Sequence, residues 1–220
     1  MTLVEAVVVV CVIGLVILLL MPMLRPPAKR HHYISCSNNL KQVALAMKVW
    51  EGDNNDKYPM GLSVTNGGTR ELMETSEAWR TFQVMSNELS TPRILQCPED
   101  STRTNYIQGF GEALKTNISY FINIVPDDSN PQGLISGDDN FMLKKLPVPR
   151  GSFNVTSNSE IEWDVSRHFN QAKQSWFTAT TKASCGYLMM ADGSVQFATG
   201  PALKVYIQNS NVETNRFVIP

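Results

Sequence analysis

"MTLVEAVVVVCVIGLVILLLMP" (Met1–Pro22) is the stretch on which the fold turns. From Ala6 to Leu24 the chain runs nineteen residues without a charge. As a helix rising about 1.5 Å per residue it spans roughly 29 Å, close to the hydrocarbon thickness of a bilayer. One acid, Glu5, stands at its head. A carboxylate held at mid-membrane costs about 2 to 3 kcal/mol, less near the interface and far less beside a cation. Glu5 is therefore an interfacial charge or the partner of another group. A cleaved secretory signal is a poor fit, because no Lys or Arg precedes the core, the core is too long, and "MLRPPAKR" lacks an A-x-A-like site. A plain anchor meets a different difficulty: Arg25, Lys29 and Arg30 follow the span, and the positive-inside rule would keep the remainder cytoplasmic. The conflict disappears if Met1 is the first residue left after removal of a short basic leader.

Composition narrows the rest. With 220 residues, the part beyond the span is large enough for one domain with its own core. Nineteen basic against twenty acidic residues, a net charge of −1 and no long like-charge block leave broad nucleic-acid binding unsupported. The one basic patch, "RPPAKRHH" (Arg25–His32), reads as a membrane-proximal collar facing lipid headgroups. The abundance of Asn, Ser and Thr suits a surface facing the outside medium, and two sequons occur, at Asn117 and Asn154. The cysteines at 11, 36, 97 and 185 contain no C-x-x-C, which removes zinc-ribbon, thioredoxin-like and c-haem readings.

Along the chain, Pro22, Pro26 and Pro27 predict a helix break. Cys36, Leu40, Val43, Ala44, Met47 and Trp50, spaced by three and four, predict a resumed helix with one apolar face, ended by Gly52 and the "DNND" turn. Ser76–Ser90 reads as a second helix with Trp79, Phe82, Met85 and Leu89 in a stripe. The alternation of Ile118, Tyr120, Ile122 and Ile124 marks a strand over Asn117–Val125. Gly186–Thr199 reads as a hairpin joined at Asp192-Gly193, a pair that tolerates positive φ and so has a folding role. A short helix from Pro201 and a last strand, Arg216–Ile219, complete an α+β fold: a long N-terminal hydrophobic helix, the spine, packed under an antiparallel sheet.

Chemistry is sparse. His31 and His32 sit in the collar, His168 has no partner motif, and G-x-S-x-G, H-E-x-x-H and P-loop patterns are lacking, so the sequence offers no catalytic residue and no enzyme reading. "GDNND" (Gly52–Asp56), "DDSN" (Asp127–Asn130) and "GDDN" (Gly137–Asn140) supply oxygen ligands of the type calcium takes, without EF-hand spacing; Asn and Asp are also ordinary turn formers, and no cofactor is expected.

The opening segment resembles mature type IV pilins and pseudopilins, in a hydrophobic residue at position 1, the Thr2-Leu3-Val4-Glu5 run, the unbroken apolar helix, and Gly14 and Pro22 where those proteins carry helix-weakening residues. "CSNNLKQVALAMKVWEGDNNDKYP" (Cys36–Pro59), "CPED" (Cys97–Asp100), "ADGSVQF" (Ala191–Phe197) and "RFVIP" (Arg216–Pro220) are similar to landmarks of bacterial pilin-like proteins with a C-terminal His-x9-Asp-Gly motif. Here Lys182 takes the place of the histidine, so no role of that histidine transfers. The resemblance implies three parts: a transmembrane and filament-core helix (1–24), a Pro-containing basic hinge (25–35) and a pilin-like globular domain (36–220). It implies a structural subunit of an extracellular type IV pilus-like filament, with Met1, Glu5, Gly14 and Pro22 in subunit assembly. Glu5 would meet the N-terminal amine, methylated in the family, of a neighbouring subunit. The alternatives are a pseudopilin of a type II secretion system and a membrane-anchored extracellular binding domain. Partners implied are further copies of the chain, the inner-membrane pilus or type II secretion assembly machinery, and a prepilin peptidase during maturation, with residence in the inner membrane before assembly and on the cell surface afterwards. The family motifs carry cysteine at positions 36 and 97, which favours a Cys36–Cys97 disulfide; Cys97 with Cys185 and Cys36 with Cys185 stay open on sequence alone.

Overall fold

The computed structural model describes residues 3–20, 30–103, 105–112, 114–124, 130–164, 166–167, 169–170, 183–210 and 212–220. Contacts divide the chain into two units, Met1–His31 and His32–Pro220. In the first, helix α1 covers Leu3–Leu20, 18 residues that are apolar apart from Glu5. At 1.5 Å per residue α1 is about 27 Å long. No helix among the described residues is long and apolar enough to cross a membrane. The span expected over Ala6–Leu24 runs on into residues 21–24, which lie outside the described residues, as does the expected proline break.

The second unit is built on helix α2 (Arg30–Asp53). Cys36, Leu40, Val43, Ala44, Met47 and Trp50, the stripe expected from their spacing, are all buried on it, as are Ala46 and Glu51. Helix α2 runs through Gly52 and stops at Asp53. The left-handed residues beyond it are Asn55 and Asp56, at φ 57° and 56°, where short polar side chains are better tolerated than bulky ones. Asn54 Nδ2 donates to the Trp50 carbonyl at 2.7 Å, so the Asn-rich turn terminates the helix.

Residues 76–90 depart from the single helix expected there. They form α3 (Arg80–Val84) and α4 (Ser86–Leu89), interrupted at Met85, whose ψ is 20°. Trp79, Phe82, Met85 and Leu89 are all buried, and so is Thr81, whose hydroxyl lies 3.0 Å from that of buried Thr69. The burial is what one helical face would give, and the departure lies in the backbone, which leaves helical ψ at Met85. After the short helix α5 (Leu114–Asn117) the sheet begins, with β1 (Tyr120–Asn123), β2 (Leu134–Asp138), β3 (Phe141–Leu143), β4 (Leu146–Pro147), β5 (Gly151–Val155), β6 (Ile161–Trp163), β7 (Phe169–Asn170), β8 (Ala183–Met190) and β9 (Val195–Thr199). Helix α6 (Gly200–Asn209) and strand β10 (Asn215–Ile219) close the chain. Among the described residues seven strands form one sheet in the order β5-β10-β1-β2-β8-β7, with β9 also on β8, and β4-β3-β6 form a second. Every pairing is antiparallel.

Both faces of the large sheet are covered. Tyr120, Ile122, Ile135, Met189 and Val218 join the core under α2, whereas Phe121, Leu134, Leu188, Phe217 and Ile219 join a second core with Phe141, Trp163, Leu203 and Ile207. This is why β1 is buried at every position: the alternation separates two cores, not core from solvent. The second core is aromatic, with the Phe141 ring 5.0 Å from Trp163 and 5.6 Å from Phe217. Gly186 makes room for it, since a Cβ there would sit 2.6 Å from the Trp163 ring.

Candidate functional site

Helix α1 has the most unusual surface in the chain. Thirteen large apolar side chains on it, from Leu3 to Leu20, are between 46% and 82% exposed. Four of them, Val7, Val8, Val9 and Val10, are consecutive, and at 100° per residue they point in four directions. A helix that is apolar all round belongs inside an assembly or a bilayer. Glu5 lies in its first turn, Gly14 lies mid-helix with open space around it, and Cys11 is an exposed free thiol. Met1 and Pro22, the other residues assigned to assembly, lie outside the described residues.

In the second unit, Asp192 and Gly193 form the β8–β9 turn, with a difference from the two-residue turn expected. The loop has three residues: the Gly193 N–H donates to the Met190 carbonyl at 3.0 Å and the Met190 N–H to the Ser194 carbonyl at 2.9 Å. Only Gly193 is left-handed, at φ 81°, and Asp192 accepts the Ser194 N–H on Oδ1 at 2.8 Å. This is a type I turn closed by a glycine bulge. Tyr58 donates its hydroxyl to the Ala191 carbonyl at 3.1 Å, which ties the turn to the segment after α2.

Cys36 and Cys97 are joined in a disulfide, with Cα atoms 5.0 Å apart and both residues buried. It fastens the irregular segment after Pro92 to α2. Cys185 is buried and takes no part in a disulfide. Asn39 Nδ2 donates to the Gln96 carbonyl at 3.1 Å, and Gln96 Nε2 donates to the carbonyls of Arg103 and Asn105. Under this segment lies a cluster of four charges. Arg103 pairs with Asp100 and, through both Nη atoms, with Asp139, while Arg167 Nη2 reaches Asp139 Oδ1 at 2.6 Å and Asp100 Oδ2 at 3.1 Å. Ser119 and Thr102 also donate to Asp100. Burial by itself would raise the Asp100 carboxyl, but the guanidiniums of Arg103 and Arg167 hold it well below the usual carboxylate range. Burial, and then Asp138, Asp100 and Asp139, push the enclosed Tyr120 phenol well above its ordinary value. Desolvated ions are tolerated only when their partners are present, so the cluster fixes the relative positions of the 97–103 segment, the β2–β3 turn and Arg167.

In the sequence "CPED" stands out only as a landmark of the resemblance and "GDDN" only as a source of oxygen ligands, with nothing to link them. The missing partners, buried Arg103 and half-buried Arg167, stand in unremarkable polar surroundings and were not legible as members of a cluster. The calcium reading of "GDDN" meets a competing use, because Asp139 is occupied by two guanidiniums and Asp138 accepts the Tyr187 N–H at 2.7 Å. Among the described residues no group of three or more His, Cys, Asp or Glu is arranged to hold a metal ion. Asp127, Asp128, Ser129, His168 and Lys182 lie outside the described residues. No family model, no curated protein and no solved structure matches the chain.

Proposed function

We propose that the protein is a structural subunit of an extracellular type IV pilus-like filament, polymerising through α1, with Glu5 registering neighbouring subunits. The observation that carries this reading is the all-round apolar surface of α1 joined to a second unit that buries its own core. Keeping the exposed part of thirteen large apolar side chains out of water is worth on the order of 10 kcal/mol, a term common to lipid and to a bundle of copies, so close packing and the pairing of Glu5 decide between those two states. Before assembly the same surface sits in lipid. A carboxylate at the head of such a helix is costly in a dry core unless a cation of a neighbour meets it, so Glu5 makes one axial register more favourable than the others. The role is structural, with no chemistry asked of the folded unit.

Glu5→Ala tests the proposal. Filament yield from the variant is expected to fall sharply, with thermal unfolding of the second unit unchanged. A normal yield of filaments from Glu5→Ala would remove the role given to Glu5.

A further inference from the structure

A cleft of about 560 Å³ opens beside the disulfide, lined by Asn39, Ile94, Gln96 and Cys97 at its inner wall and by Arg93 and Tyr106 at its mouth. Its size falls in the range of small-ligand sites. The wall, Asn39 of α2 together with the 3-10 turn Pro92–Leu95 and the irregular chain after it, is tied together by three devices: the Cys36–Cys97 disulfide, the two-pronged Gln96 amide, and the ion cluster that grips Asp100 and Arg103. Loops held in shape by a scaffold are where binding residues concentrate, and a preformed site spares a ligand the cost of ordering it. Folding does not account for the two residues at the mouth. Tyr106 is 78% exposed, and Arg93 is exposed and makes no ion pair among the described residues. By contrast, Asp100 and Arg103 deeper in the wall are neutralised by their own partners. The charge left over in the cleft is therefore positive, and the large side chain beside it is an aromatic plane.

We propose that this cleft binds a carboxylate carried on a ring, of the acidic-sugar class, with the Arg93 guanidinium forking the carboxylate and the Tyr106 ring stacking on the sugar's C–H face. Arg matches a carboxylate in a bidentate geometry that a neutral hydroxyl cannot reproduce, so the acid sets the preference. The apolar floor of Ile94 and the buried disulfide accept the ring's less polar edge. The site belongs to the folded unit and does not depend on the filament reading, so loss of one leaves the other standing.

The test uses the full chain in a polyoxyethylene detergent, titrated with glucuronate, glucose, benzoate and acetate and read by saturation-transfer NMR on the small molecule. Glucuronate is expected to bind at least about tenfold more tightly than glucose or acetate, a difference of about 1.4 kcal/mol. Arg93→Ala and Tyr106→Ala, both at exposed positions, are each expected to weaken glucuronate about tenfold while the melting temperature stays put. Glucuronate binding no tighter than glucose, or unchanged in either variant, overturns the proposal. Acetate binding as tightly as glucuronate refutes the role of the ring, and tighter binding of benzoate refutes the sugar.

Discussion

Replacing both members of the disulfide, Cys36→Ala with Cys97→Ala, perturbs the second unit in a way whose size can be worked out. The bridged residues are 61 apart in sequence. In the chain-entropy model, closing a loop of that length removes about 14 cal/mol/K from the unfolded chain, or about 4 kcal/mol at 25 °C. Both sulfurs are buried, so the alanines also leave a small void costing about 1 kcal/mol more. A loss of about 5 kcal/mol in a domain of this size lowers the melting temperature by roughly 10 to 20 °C. Near-ultraviolet circular dichroism is the natural assay, since Trp79 and Trp163 are buried in the two cores and report tertiary packing. The effect should also couple to the ion cluster, because Cys97 starts the segment that presents Asp100 and Arg103 to Asp139. In a double-mutant cycle with Asp139→Asn the losses are expected to be non-additive by at least about 0.5 kcal/mol. A shift of less than about 3 °C in the double-alanine chain, or non-reducing peptide maps that join Cys185 to Cys36 or Cys97, would show the reasoning to be wrong.

Asp139→Asn removes the charge that both guanidiniums share and is expected to cost about 3 to 5 kcal/mol, measured by urea unfolding; a loss below about 1 kcal/mol would mean the cluster is not a structural hub. The Asp100 carboxyl titrates lower folded than unfolded, so its contribution is whole above about pH 5 and is lost as pH falls below about 4 toward its folded value. Asp100→Asn is expected to flatten that acid limb of the stability curve, and an unchanged limb counts against the assignment. Gly186→Ala places a Cβ against the Trp163 ring and is expected to cost about 2 to 3 kcal/mol, whereas Gly193→Ala, which meets only ordinary contact with Lys48 but keeps its left-handed φ, costs about 1 kcal/mol. Equal effects at the two glycines would contradict the distinction between crowding and backbone strain.

Much of the framework was legible because it rests on short-range periodicity. The Cys36-to-Trp50 stripe, the β8–β9 hairpin with Gly193 and the last strand follow from patterns a few residues long, and the same patterns hold in the fold. The errors fall where tertiary contacts decide. The stripe from Trp79 to Leu89 is buried as expected yet is not one helix, since the backbone breaks at Met85. At 52–56 the acids that suggested calcium finish α2 with two left-handed residues. The ion cluster was out of reach, since Asp100, Arg103, Asp139 and Arg167 are brought together only when three separate segments meet. Nothing local marks an arginine as one that will be buried. The cleft mouth escaped for a similar reason: Arg93 and Tyr106 are ordinary surface residues until the disulfide folds their loop back on α2.

Helical reconstruction by electron cryomicroscopy of filaments sheared from cells that produce the chain tests the central claim most directly. The expected fibre has its axis filled by Leu3–Leu20 of many copies, with Glu5 of each copy within about 4 Å of a cation of a neighbour and the sheet units outside. A preparation in which the chain is found only as isolated copies in membrane, or a fibre whose subunits meet through their sheets while α1 stays off the axis, would contradict it.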